Sequence, residues 1–207
     1  MKISFPSVPV TNCDERPAGE SPSLVVVHAI SLPPDRFGGP GVEQLFTNRL
    51  DPAEHPYYAA IHHLRVSAHY FIRRSGEVVC FVPPERRAWH AGVSSWRGRE
   101  RCNDFSIGVE LEGCDSLPFE EAQYEALAGL LIELCGRFPV AGVTGHSDIA
   151  PGRKTDPGPY FSWGRLRHLL LEAERGDVAR RVEPDEPPEE GGSGRMRWPF
   201  PLRERPV

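Results

Sequence analysis

The segment Phe105-Ser106-Ile107-Gly108-Val109-Glu110-Leu111-Glu112 alternates apolar and polar or small residues without a break, and a period of two is what a β-strand imposes on its side chains. Phe105, Ile107, Val109 and Leu111 share one face, which a core must cover, while Ser106, Gly108, Glu110 and Glu112 share the other. Both carboxylates are therefore aimed away from the core face. Such a strand needs neighbours. Leu24-Val25-Val26-Val27, a run of mostly β-branched residues, predicts a buried strand ending at His28. A hairpin is expected from residues 67–72 and 78–82, with Gly76 supplying the backbone freedom of the turn, and a short strand over 140–144. Residues 120–137 place Tyr124, Leu127, Leu131 and Leu134 on one stripe, with acids crowding the first turn, as an amphipathic helix requires. Ser162 is placed to cap a last helix over 163–174. Strands before and after single helices, with one antiparallel hairpin, predict a single α/β domain in which helices flank a central mixed sheet.

Between the first strand and the hairpin, residues 31–56 are rich in proline and glycine, with one short helix expected over 42–46. A connection this long in a compact domain suits a functional wall or lid. The domain is expected to span 1–180. Beyond it, the run 183–194 is acidic and rich in proline and glycine, a composition that buries too little apolar area to offset chain entropy. Residues 181–207 are accordingly expected to form a disordered tail, acidic and then basic. A net charge of −5 gives no broad attraction to nucleic acid or to an anionic membrane, so neither is an expected partner. No apolar run has the length of a signal peptide core or a membrane span. The five cysteines contain no C-x-x-C pair, which argues against a disulfide framework and a cysteine zinc site and fits a reducing cytoplasm.

The chemistry is concentrated in residues 144–159, where His146, Lys154 and Asp156 stand in one loop bounded by glycines and prolines. Hydrolytic zinc sites usually take three protein ligands and leave the fourth position to water. His28 at its strand end, His146 and Asp156 meet that count. Two neutral imidazoles and one carboxylate would leave the site positive, which acidifies a bound water. Glu110 could serve as the base for that water, and Lys154, two residues from Asp156, could stabilise an oxyanion. Together these groups point to metal-assisted amide hydrolysis. Alternation alone does not separate Glu110 from Glu112. Lys154 alone could equally be a solvated loop lysine, and a lone histidine is more often structural than ligating.

Longer motifs carry a family resemblance. Val27-His28, Ser67-Ala68-His69-Tyr70, Trp89-His90-Ala91-Gly92, Asn103 through Gly113, Gly145-His146 and Lys154 through Pro159 resemble the zinc-dependent N-acetylmuramoyl-L-alanine amidases. Within that family the fuller match is to the cytoplasmic anhydromuramoyl-peptide amidases of peptidoglycan recycling. It includes Ile30 through Pro34, Phe37 through Pro40, His63 through Val66 and Gly98 through Phe105, and runs from about 16 to 168.

The resemblance implies one Zn2+ per chain on His28, His146 and Asp156, with Glu110 as catalytic acid/base and Lys154 as stabiliser of the transition state. It implies that Arg65 and Arg101 bind muropeptide carboxylates, a role suited to a planar two-pronged donor, and that Tyr57 and Trp89 line the groove. The expected substrate is an anhydromuramoyl peptide, cut between the lactyl carbonyl and L-alanine by a monomeric enzyme. A wall-degrading amidase and a binding module without turnover are the alternatives. One departure is Ala29, where the family pattern has a substrate-binding asparagine. His69 is expected to be a packing residue near the site, and His55, His62, His63, His90 and His168 to be groove, packing or surface residues.

Overall fold

The computed structural model describes residues 6–180, with only the backbone for 176–180. The elements in chain order are β1 (Cys13–Asp14), β2 (Leu24–Ile30), α1 (Gly41–Phe46), α2 (Pro56–Ile61), β3 (Tyr70–Ile72), β4 (Val78–Cys80), β5 (Arg87–Ala88), β6 (Ser95–Trp96) and β7 (Arg99–Glu100). A 3-10 turn (Cys102–Asp104), β8 (Ser106–Glu112), α3 (Glu121–Arg137), β9 (Val143–Gly145), α4 (His146–Ile149) and α5 (Trp163–Arg180) complete it. Five strands form a mixed sheet in the order β4-β3-β8-β2-β9, antiparallel only between β3 and β4. This is the expected α/β arrangement. The anticipated tail at 181–207 lies outside the described residues.

The alternation in β8 is realised as two buried faces. Ile107, Val109 and Leu111 join Val25 and Val27 of β2 under Leu127, Leu131 and Leu134 of α3 and Leu166 and Leu170 of α5. On the opposite face Leu24 and Val26 pack with Ala91, Phe105 and Ile149. Phe105, which falls just before the strand, thus serves the second core and not the first. Glu110 and Glu112 point away from the α3 and α5 face as expected, yet both are buried, because the chain covers that side too, as parallel strands require. Glu112 accepts the backbone N–H groups of Gly38 and Arg74, tying the long connection and the hairpin to the sheet.

The connection after β2 is packed chain with its own core, in which Leu32, Val42, Leu45, Phe46, Leu50 and Tyr58 meet Phe71, Val79 and Phe81. Helix α1 lies where expected. Helix α2 was not anticipated, although His55 accepts the Tyr57 N–H as its cap and Pro56 opens its first turn. Ser162 caps α5 by accepting the Arg165 N–H at 3.1 Å, and the helix extends beyond 174 to Arg180. Strand β2 runs on past His28 to Ile30, because its ladder with β8 continues to Glu112. Gln123 of α3 anchors the helix to the sheet by donating to the carbonyls of Ile72 and Glu112, at 3.2 and 3.1 Å.

Gly108 on β8 leaves room for a ring. A Cβ built there would overlap the His90 imidazole, so Gly108→Ala should destabilise the chain by about 1–3 kcal/mol in urea unfolding. A variant as stable as the parent would show that this contact is not tight.

Candidate metal centre and active site

Two strand neighbours of β2 assemble the centre. In the parallel ladder His28 lies beside Glu110, and Val27 lies beside Gly145, so β9 ends in register with β2 and delivers His146 at once. The loop after α4 returns Asp156 to the same point, where Ser147 N–H donates to the Asp156 carbonyl at 2.9 Å. His28 Nδ1 and His146 Nδ1 are 2.9 Å apart, and each is 3.1 Å from Asp156 Oδ2. These are the three residues among those described whose donor atoms cluster as a metal site would require. Tetrahedral ligands at roughly 2.0–2.2 Å from zinc stand roughly 3.3–3.6 Å apart, so modest relaxation would admit the ion.

The donor chemistry fits as well. His146 Nε2 lies 3.2 Å from the Ala91 carbonyl, which can only accept, so the neutral ring carries its proton there and turns a lone pair toward Asp156. A carboxylate oxygen and a lone pair facing each other at this distance call for a cation between them. His28 and His146 are almost fully buried, at 1% and 3% exposure. Burial lowers the His28 pKa to about 4, with the neighbouring His146 and Lys154 charges adding to the effect against Asp156. The imidazole is thus held in the neutral form that binds metal. For Asp156, burial acts upward, but the two facing imidazoles outweigh it and hold the carboxyl well below its usual range.

Glu110 is buried beside this cluster, and its Oε2 has no hydrogen-bond partner among the described residues. Burial first, and then the Asp156 charge, raise its pKa well above the ordinary value, with Lys154 acting in the opposite direction. Glu112, the other carboxylate of the strand, is occupied by two backbone donors, and this separates the two acids that alternation left equivalent. Lys154 is exposed on the loop, close enough for its charge to reach both His28 and Glu110.

Of the four expected groove residues, Tyr57, Arg65 and Arg101 are exposed and Trp89 is half-buried, and none is drawn into the triad. Tyr57 of α2 is 42% exposed, and Arg65 turns its guanidinium to the carbonyls of His62, His63 and Leu64 at 3.3 to 3.5 Å. Trp89 and Arg101 are linked by a polar chain. Trp89 Nε1 donates to Asp14, Asp14 and Asp104 both pair with Arg87, and Arg101 pairs with Asp104 at 3.2 Å. Arg101 also sits at φ 61, a left-handed conformation that bulky residues seldom adopt and that often marks a functional position.

His69 is fully buried as a packing residue, accepting the Gly108 N–H at 2.9 Å. Arg16 was given no role in the sequence, and His90 was expected only among the groove, packing or surface residues. Arg16 donates to the carbonyls of Pro84, Asn103, Asp104 and Ser106. His90 places Nδ1 2.9 Å from His28 Nε2. For His90 the signal was present in Trp89-His90-Ala91-Gly92, but nothing in that motif indicates which ring it meets.

The sequence profile of the N-acetylmuramoyl-L-alanine amidase family matches residues 18–159. The 1,6-anhydro-N-acetylmuramyl-L-alanine amidase AmpD of Citrobacter freundii is 59% identical over 165 residues, covering 79% of this chain and 88% of that protein. A crystal structure of a selenomethionine derivative of AmpD superposes with a TM-score of 0.79 at 59% identity, over 80% of this chain and 94% of its own. The E. coli amidase AmiD, solved with anhydro-N-acetylmuramic acid-L-Ala-D-gamma-Glu-L-Lys, has a TM-score of 0.54 at 31% identity over 75% of this chain and 60% of its own.

Two outcomes test the centre. His146→Ala should abolish stoichiometric zinc uptake, measured by elemental analysis of dialysed protein; undiminished metal content would refute its place in the ligand set. Because Glu110 holds its proton more tightly when folded, its own contribution to the stability of the metal-free chain is fully present below the ordinary carboxyl pKa of 4.5 and is lost as pH rises toward the folded value. Metal-free Glu110→Gln should therefore resist urea better than the parent at pH 7, with the gap closing below pH 4.5. A gap that does not change with pH would contradict the buried acid.

Proposed function

Because the chain belongs to the N-acetylmuramoyl-L-alanine amidase family, we propose that it hydrolyses the amide between the lactyl group of anhydro-N-acetylmuramic acid and L-alanine in muropeptides, using one zinc ion held by His28, His146 and Asp156. The observation that carries this reading is the convergence of the three donor atoms beside a buried carboxyl group whose Oε2 has no hydrogen-bond partner among the described residues. The high identity to AmpD over most of both chains supports the anhydro-muropeptide as substrate and peptidoglycan recycling as the setting. A monomer acting in the cytoplasm is the form of the enzyme this proposal adopts. No helix among the described residues is long and apolar enough to cross a membrane.

Zinc, when bound, would polarise the scissile carbonyl and make water available as a nucleophile near neutral pH. The chain's own groups do the rest. Glu110 takes the proton of the attacking water and returns it to the departing L-alanine nitrogen. Its raised pKa suits this exchange, and a dication at the triad would draw it back toward ionisation and neutrality of pH. Lys154 places positive charge where the amide oxygen becomes negative. Arg65 and Arg101 bind the peptide carboxylates, Arg101 from a backbone held by its N–H donating to the Ser94 carbonyl and its carbonyl accepting from the Asp104 N–H. Tyr57 and Trp89 form apolar walls for the sugar and peptide.

Glu110→Ala should keep its zinc and lose roughly 10²- to 10⁴-fold in turnover; wild-type activity in that variant would place the base elsewhere. Mass spectrometry of products from anhydromuramoyl tripeptide and from intact sacculi tests the substrate. Release of the free tripeptide from the soluble fragment is the expected result. Release from sacculi alone would identify a wall amidase, and no product from either would identify a binding module.

A further inference from the structure

Both imidazoles of the triad turn their second nitrogen to consecutive residues of one segment. His146 Nε2 lies 3.2 Å from the Ala91 carbonyl, and His28 Nε2 lies 2.9 Å from His90 Nδ1. The first contact fixes a tautomer by itself, since a carbonyl cannot donate. The second is between two ring nitrogens and depends on which ring carries the proton. The remaining contacts of His90 decide it. Its Nε2 is 3.2 Å from Ser106 Oγ, and that hydroxyl donates to the Cys102 carbonyl at 2.5 Å. With its hydrogen so placed, Ser106 can only accept from His90. His90 is then protonated on Nε2, its Nδ1 accepts, and His28 must donate from Nε2, leaving its Nδ1 lone pair facing His146 and Asp156.

The segment is built for this. Asn103 Oδ1 accepts both the His90 and the Ala91 N–H, at 3.1 and 2.8 Å. Arg153 donates to the Ala91 and Val93 carbonyls, each at 2.7 Å. Gly108 clears the space that the His90 ring occupies, and the His28 and His90 rings meet edge to face with centroids 5.0 Å apart.

We propose that His90 is a positioning residue: with Ser106 behind it, and with the adjoining Ala91 carbonyl, it sets both ligand histidines in the Nε2–H tautomer, so that each presents Nδ1 to the metal. The inference deepens the zinc-centre reading and rests on it for its purpose, but the tautomers are measurable apart from the metal. In the alternative arrangement His90 donates from Nδ1 to His28, and the Ser106 hydroxyl must abandon the Cys102 carbonyl to satisfy His90 Nε2. Ser106→Ala removes that restraint, and His90→Ala removes the acceptor itself.

Long-range 15N–1H spectra of the full chain, with and without zinc, should show His90 protonated on Nε2 and a nitrogen–nitrogen coupling across the bond from His28 Nε2 to His90 Nδ1. Competition with a zinc-selective chelator should show roughly tenfold or greater loss of zinc affinity in His90→Ala and in Ser106→Ala. The serine variant, which removes one oxygen, serves should the larger deletion fail to fold. His90 protonated on Nδ1, or Ser106→Ala binding zinc as tightly as the parent, would overturn the proposal. If the parent chain takes up no zinc, the metal reading fails, and the proton position on His90 still decides the tautomers.

Discussion

Parallel hydrogen bonding of Leu24–Ile30 to a strand on either side is the constraint on which the site depends. The ladder with Ser106–Glu112 sets His28 beside Glu110, and the ladder with Val143–Gly145 stops where His146 begins. A slip of one residue in either would turn the histidine or the glutamate to the opposite face of the sheet, into the aliphatic core under the long helices. The packing of Val25, Val27, Ile107 and Val109 against α3 and α5 therefore holds the reactive groups in place. Those apolar residues are the reason that His28, His146 and Glu110, distant in sequence, share one point in space.

Enclosure of that point explains its electrostatics. The sheet face opposite the long helices is covered by Ala91, Phe105 and Ile149 over β2 and by the connection after β2 over β3 and β4, so ionisable groups there are removed from water. Burial favours neutral imidazole at His28 and His69, and neutral carboxyl at Glu110. Asp156 departs from this pattern because two imidazoles face it. An ionised aspartate facing two imidazole lone pairs is a poor arrangement without a cation and a suitable one with it. The segment containing His90 and Ala91 belongs to the same construction, since it covers the histidines and supplies their hydrogen-bond acceptors.

Much of this was legible in the sequence because its physical causes are local. Alternation in 106–112 and the apolar stripe of 121–137 follow from strand and helix geometry, and they appear where that geometry puts them, whereas Phe105 falls before the strand and turns to the other core. His146 and Asp156 share a short loop, so their meeting needed little tertiary information. What the sequence did not disclose arises from contacts between distant segments. The extension of β2 to Ile30 depends on its partner strand, and the burial of Glu112 depends on Gly38 and Arg74 approaching it. The role of Gly108 was invisible until the ring that fills its missing side chain was known. His90 was one of eight histidines, and neither composition nor spacing says that its ring lies between His28 and Ser106.

X-ray absorption at the zinc edge of the zinc-loaded full chain tests the central claim most directly, because it reports on the atoms around the ion without requiring activity. The account predicts a four-coordinate site with two imidazoles and two oxygens at roughly 2.0–2.2 Å, and loss of one imidazole shell in His28→Ala. Sulfur among the ligands, or a shell without imidazole scattering, would contradict it.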